Sequence, residues 1–125
     1  MKTFQLRTLS VLLGALGAFT YSPWAQAQLM FSQYVDGSSN RKGLEIYNPD
    51  GTTVNLADYE IQQFNNGGTA KTATFRLQGS LTSKQKFLVG RSELQAELGS
   101  KVNQIAALSF NGDDILLIFI ITYLL

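Results

Sequence analysis

The feature that most constrains this chain is its punctuation. After residue 28 the apolar residues come in runs of strand length, interrupted by Asp36-Gly37-Ser38-Ser39-Asn40, Asn48-Pro49-Asp50-Gly51, Asn65-Asn66-Gly67-Gly68 and Asn111-Gly112-Asp113-Asp114. Gly, Asn, Asp and Ser accept left-handed backbone or bond their own main chain, so these interruptions read as turns before they read as sites. The runs are 29–35, 43–48, 59–64, 72–77, 87–89, 105–110 and Ile115 onward. Short runs set off by turn residues at this density predict an all-β domain.

Alternation within the runs says which side chains face inward. Leu44 and Ile46 are set against Glu45 and Tyr47; Tyr59, Ile61 and Gln63 against Glu60, Gln62 and Phe64; and Phe75 and Leu77 flank Arg76. One buried and one wet face per strand belongs to antiparallel sheets packed on each other, a sandwich of about seven strands. Leu56 is expected in the core, with Asn55 or Asp58 bonding local backbone. Asn48-Pro49-Asp50-Gly51 fits a tight turn with Pro second. The single helical candidate is 92–98, with Ser92 as its cap, Glu93 and Glu97 toward its start and exposed face, Leu94 and Leu98 as an i,i+4 pair, and Gly99 as its stop.

The amino terminus reads as an address. Lys2 and Arg7 precede a short apolar stretch from Leu9 to Phe19, and Ala25-Gln26-Ala27 is a small-x-small processing site, so residues 1–27 are expected to be an export signal cleaved before Gln28. The stretch is shorter than the ~20 apolar residues of a membrane span. The mature domain is then 28–125, located outside the cell or in the periplasm, with eight basic against nine acidic residues and no global electrostatic footprint for nucleic acid or anionic lipid. The chain contains no Cys and no His, which removes disulfides, thiol nucleophiles, Ser-His-Asp triads and zinc sites built on those ligands. A lone domain of this size also offers no obvious cleft between two facing carboxylates, so no catalytic residue is expected.

Four segments taken in order carry a resemblance: 31–40 (FSQYVDGSSN), 42–49 (KGLEIYNP), 54–59 (VNLADY) and 110–114 (FNGDD). Together they resemble the bacterial lamin-tail domain across nearly the whole mature chain. The resemblance implies an immunoglobulin-like β-sandwich serving as a non-catalytic binding or targeting module. In bacteria such modules often accompany secreted nucleases or other hydrolases, and an export signal agrees with that setting.

Two chemistries are weighed on the residues themselves. Asp113 and Asp114, with Asp36 or Glu45 brought near by the fold, would supply the hard oxygen ligands calcium prefers, although consecutive strand residues point to opposite faces and the spacing is not that of an EF-hand. The plainer reading is a hydrogen-bonded turn, with Glu45 paired to Arg41 or Lys42 or bonded to a turn amide. Arg41, Lys42, Lys71, Arg76, Lys84, Lys86 and Arg91 would have to converge, with Phe64 or Tyr47 stacking on bases, for nucleic-acid binding. A solvated face, with Lys84 and Lys86 guarding an edge, fits the composition better.

The last eleven residues, ILLIFIITYLL at 115–125, depart from the family pattern, which would continue after Asn-Gly-Asp-Asp with an alternating strand and a Gly-containing turn. As a helix they would reach ~16 Å at 1.5 Å per residue, well short of a ~30 Å hydrocarbon core. As a strand they would bury one face on the sandwich and leave Ile, Leu and Phe exposed along an edge, favouring aggregation or oligomerisation. The expectations are therefore a secreted binding module cut from a larger extracellular protein, the amino-terminal remnant of an extracellular nuclease, or a small envelope-anchored structural protein.

Overall fold

A computed structural model describes residues 29–121; the expected export signal and cleavage site, and the end of the apolar tail, lie outside the described residues. The chain forms β1 (Met30–Gly37), β2 (Arg41–Tyr47), β3 (Val54–Asn55), β4 (Tyr59–Phe64), β5 (Ala73–Arg76), β6 (Ser80–Leu81), β7 (Lys86–Gly90), α1 (Ser92–Leu98), β8 (Gln104–Ile105) and β9 (Ile115–Ile120). These make a four-stranded sheet ordered β1-β2-β7-β8, a three-stranded sheet ordered β9-β4-β5, and a small β3-β6 pair. The architecture is an immunoglobulin-like β-sandwich.

The alternation read from the sequence sets the core. Leu44, Ile46 and Val89 of the first sheet and Tyr59 and Ile61 of the second join Leu56, Leu77, Leu108 and Phe110 in one buried cluster. Leu116, Ile118 and Ile120 pack against this cluster, while Ile115, Leu117 and Phe119 are exposed. Within the apolar tail, Ile115–Ile120 is thus a strand with alternating environments, paired antiparallel to β4 from Ile115↔Phe64 to Ile120↔Tyr59. Where the composition shows no alternation, the sheet imposes it.

The helix occupies 92–98 as expected and ends at Gly99, whose φ of 62° suits a residue without a side chain. Its start differs from expectation. Arg91, not Ser92, stands at the N-cap position and makes no side-chain cap bond there. Arg91 instead bonds Glu93 at 2.9 Å and the Leu108 carbonyl at 2.9 Å.

Two glycines seat the helix. Gly43 and Gly90 are directly opposed on β2 and β7. A Cβ at Gly43 would stand 2.6 Å from the Leu94 Cδ2, and one at Gly90 3.1 Å from the same atom, so the outer face of the sheet is hollowed where Leu94 rests. The helix carries the chain from β7 to β8, which pair in parallel, the one departure from an antiparallel sandwich among the described strands.

The expected strand at 105–110 contracts to Gln104–Ile105. Beyond it the ladder gives out after one more main-chain bond, and a side chain takes over. The Ala106 amide donates to the Gly90 carbonyl at 3.0 Å, and the Arg91 guanidinium satisfies the Leu108 carbonyl. Leu108 and Phe110 are fully buried without being in a strand. The short β3-β6 pair, Val54↔Leu81 and Asn55↔Ser80, lacks a run long enough to announce itself in the sequence.

Asn48 is more than the first residue of a turn. It is completely buried. Its amide donates to the carbonyls of Thr52 at 2.9 Å, Leu81 at 3.0 Å and Thr82 at 3.3 Å, and its Oδ1 accepts from the Asp50 amide at 3.0 Å. Asn55 acts as anticipated, accepting from the Ala57 amide at 3.2 Å to start the short 3-10 turn that buries Leu56.

Two outcomes follow from this packing. Gly43→Val should destabilise the domain by about 2 kcal/mol or more through overpacking against Leu94, read as a lowered midpoint in urea denaturation; Gly43→Val combined with Leu94→Ala should recover part of that loss. Asn48→Asp, nearly isosteric, should cost about 2–4 kcal/mol because a buried carboxylate cannot donate to the carbonyls of Thr52, Leu81 and Thr82, a loss at least as large as that of Asn48→Ala.

Candidate functional site

Of the four turns that drew attention in the sequence, Asn48-Pro49-Asp50-Gly51 follows the far end of β2, and the other three gather at the opposite end of the sandwich. These three are the β1–β2 hairpin at Ser38 to Asn40, the loop at Asn65 to Gly68 and the Asn111–Asp114 turn. Each contains or contacts left-handed backbone, with φ of 56° at Ser39, 62° at Asn40, 55° at Asn66 and 66° at Gly67. Asn and Gly hold such conformations at little cost.

Asp114 ties two of these turns together. One carboxylate oxygen accepts from the Asn66 amide at 2.8 Å, and the other from the Asn111 amide at 3.0 Å, closing the turn the sequence suggested. Beneath it lies Gln63, fully buried, whose amide nitrogen donates to the Asn65 Oδ1 at 2.7 Å and to the Ser109 hydroxyl at 3.2 Å. With its amide turned to suit its surroundings, Asn111 donates to Asp113 at 2.5 Å and to Asp114 at 3.3 Å. The loop end is therefore held by side-chain bonds, to backbone amides and to one another, rather than by sheet.

Tyr34 caps this end. Its ring lies 4.8 Å from that of Phe110 at an interplanar angle of 37°, yet the residue is 47% exposed. Phe110 is fully buried, and the Lys42 ammonium stands 5.3 Å from its ring centroid. Lys42 also pairs with Asp36 at 2.5 Å, and the Tyr34 hydroxyl lies 3.5 Å from the other Asp36 oxygen. The site is an amphipathic aromatic ring, packed on one face and wet on the other, beside a neutralised charge pair.

Sequence alternation hides Tyr34. Phe31 and Tyr34 are three apart, and simple alternation puts them on opposite faces. A bulge between Phe31 and Gln33 shifts the pairing, so that Phe31 opposes Ile46 and Tyr34 opposes Leu44, both inward positions of β2. Gln63 was readable as an inward residue of β4, but its bonds to Asn65 and Ser109, and its 3.5 Å approach to Asp114, were not.

The four acidic candidates for calcium are divided. Asp36 opposes Lys42 on the inward register of β1–β2, whereas Glu45 opposes Gln33 on the outward register. Glu45 accepts from the Ser32 hydroxyl at 2.8 Å and pairs with Lys86 at 3.7 Å, not with Arg41 or Lys42. Asp114 is committed to backbone amides, and Asp113 lies exposed beside it. Among the described residues no group of three or more Asp or Glu is placed to hold a metal ion.

The basic residues do not form one patch. Arg41 bonds Glu97 at 3.1 Å, Lys42 is held by Asp36, Lys86 by Glu45 and Arg91 by Glu93, and Lys71 lies 4.0 Å from Glu60. Lys84 reaches the Pro49 carbonyl at 2.5 Å and Arg76 the Ala57 carbonyl at 3.4 Å. Tyr47 and Phe64 lie on different sheets.

Burial raises the Tyr34 hydroxyl above the ordinary tyrosine value, and the nearby Asp36 and then Asp114 charges add to the shift. Because the folded value is raised, the stabilisation is complete below the unfolded value and is lost as pH rises through the folded one. Absorbance titration should place Tyr34 above about 10, and Asp36→Asn should bring it down only in part, since burial is the larger cause. A Tyr34→Phe chain should lose the corresponding alkaline step.

A family model described as Lamin Tail Domain matches residues 22–119 of the chain. No curated protein and no solved structure matches it.

Proposed function

The chain belongs to the lamin tail domain family, and on that premise we propose that it is an exported, non-catalytic binding or targeting module whose loop end, centred on Tyr34, holds a protein or polysaccharide partner. The observation that carries this reading is the preorganised aromatic. Tyr34 is fixed from behind by Phe110, keeps nearly half of its surface in solvent, and has its hydroxyl 3.5 Å from the Asp36 carboxylate. A rigid aromatic with a polar tip offers large contact area at small entropic cost, and loops held by a sandwich are the usual carriers of recognition.

Export is inferred from the basic amino terminus, its apolar stretch and Ala25-Gln26-Ala27. The partner class is inferred from charge. Seven of the basic side chains, from Arg41 to Arg91, are spread over both sheets and lie against carboxylates or carbonyls, which favours a weakly charged partner over the phosphate backbone of nucleic acid.

Binding is best measured by biolayer interferometry against envelope polysaccharides and secreted proteins of the source organism, with duplex and single-stranded DNA alongside. Tyr34→Ala should weaken partner binding about tenfold or more, equivalent to ~1.4 kcal/mol, while Lys71→Ala leaves it unchanged. Tight, salt-sensitive DNA binding that is insensitive to Tyr34→Ala would overturn the assignment.

A further inference from the structure

Among the described residues, the free edges of the two main sheets are not alike. β1 carries a bulge between Phe31 and Gln33 and a charge at Asp36. β5 is four residues long and contains Arg76. β8 is two residues long. Each is blunted by a bulge, a charge or brevity, the ordinary defences against edge-to-edge pairing. β9 has none of them. It is six residues of Ile, Leu and Phe in unbroken register with β4, at the outside of its sheet.

The hydrogen-bonding direction of β9 can be read from its end. The Ile121 amide donates to the Asp58 carbonyl at 2.8 Å, so the odd-numbered amides and carbonyls face β4. By strand alternation, the main-chain groups of Leu116, Ile118 and Ile120 face away from it. Their side chains point into the core, while Ile115, Leu117 and Phe119 are 42%, 40% and 44% exposed on the outer face.

From these observations we infer that β9 pairs antiparallel with β9 of a second copy, joining two three-stranded sheets across a two-fold axis at Ile118. In that register Ile118 opposes its equivalent, Leu116 opposes Ile120, and the outward-pointing main-chain groups meet as hydrogen-bonded pairs. Leu117 of each copy then stands opposite Phe119 of the other on the exposed face, an aliphatic-aromatic cross-strand pair. The occupant is a second copy because the strand is self-complementary and uncharged: residues 115–125 contain no Asp, Glu, Lys or Arg. Two such strands approach without like-charge repulsion, whereas a charged partner strand would lose hydration against Ile, Leu and Phe without gaining an opposite charge. An isologous contact also closes on itself, leaving no further β9 edge to recruit a third copy.

The test uses the full chain in sedimentation equilibrium over a wide concentration range, with amide hydrogen exchange at its two extremes. A monomer–dimer equilibrium is expected. Leu117→Lys, at an exposed position, should raise the dissociation constant at least tenfold; Phe119→Glu should do the same, and mixing the two variants should restore a dimer through the Lys-Glu pair. In the unsubstituted chain the amides of Leu116, Ile118 and Ile120 should be protected when concentrated and exchange on dilution, with Leu117 and Phe119 protected throughout. That measurement decides the matter even where a variant does not fold. A monomer at every concentration overturns the inference, as do polymers that grow beyond the dimer, association with neutral phosphatidylcholine vesicles by a chain that stays monomeric, and dilution-independent protection of the three amides, which would assign the edge to another segment of the same chain. The pairing stands independently of the Tyr34 surface, so Tyr34→Ala should leave the dimer unchanged.

Discussion

The sandwich depends on carrying Leu108 and Phe110 into its centre along a segment that has almost no ladder of its own. Between β8 and β9 the backbone crosses from the first sheet to the second, and buried backbone groups left unpaired there would each cost a few kcal/mol. Side chains flanking the crossing supply bonds of their own, to main chain on both sheets. The Asn103 Oδ1 accepts from the Leu88 amide at 2.7 Å, and Gln104 takes the Gln78 amide at 3.0 Å and donates to the Arg76 carbonyl at 2.8 Å. Arg91 then holds Leu108, and Asp114 holds the turn before β9. In a chain with no cysteine, these bonds do the work of covalent staples at the seam between the sheets.

The same seam explains what could and could not be read in advance. Period-two alternation placed Leu44, Ile46, Tyr59 and Ile61 correctly because their neighbours are strands on both sides, where each residue's environment follows from its parity. Leu98 and Gly99 marked the end of α1 because the stop is local. The reading weakened where a partner far along the chain decides the conformation. Residues 106–110 are apolar enough for a strand, but after one main-chain bond from Ala106 to Gly90 of β7 the ladder gives out and the Leu108 carbonyl goes to the Arg91 side chain. Ser92 looked like a cap, yet the position before it is claimed by an arginine that reaches across to Glu93 and Leu108.

The candidate site was legible in part for the same reason. Asp114 was recognisable as a turn former because Asn111 lies three residues away. Its second bond, to the Asn66 amide, spans 48 positions and has no sequence signature. Asp36 and Glu45 were singled out as acidic residues near one hairpin, but a strand's two faces separate them as surely as distance would. Tyr34 is the instructive omission. One extra residue at the bulge turns it from an outward polar-tipped aromatic into a lid on Phe110, and a bulge without Gly or Pro leaves no mark in composition.

The apolar end of the chain links these parts. Uniform hydrophobicity at 115–120 is compatible with several structures, and β4 selects among them by offering an antiparallel partner whose inward residues are Tyr59, Ile61 and Gln63. The turn closed by Asp114 fixes where that strand begins and therefore which of its residues face the core. A slip of one residue would bury Ile115, Leu117 and Phe119 and expose Leu116, Ile118 and Ile120, with nearly the same apolar content on each face. Hydrophobicity alone thus cannot set the register. The polar turn must do so, which places Asp114, one carboxylate with two backbone amides, in control of both the core closure at Phe110 and the edge presented by β9.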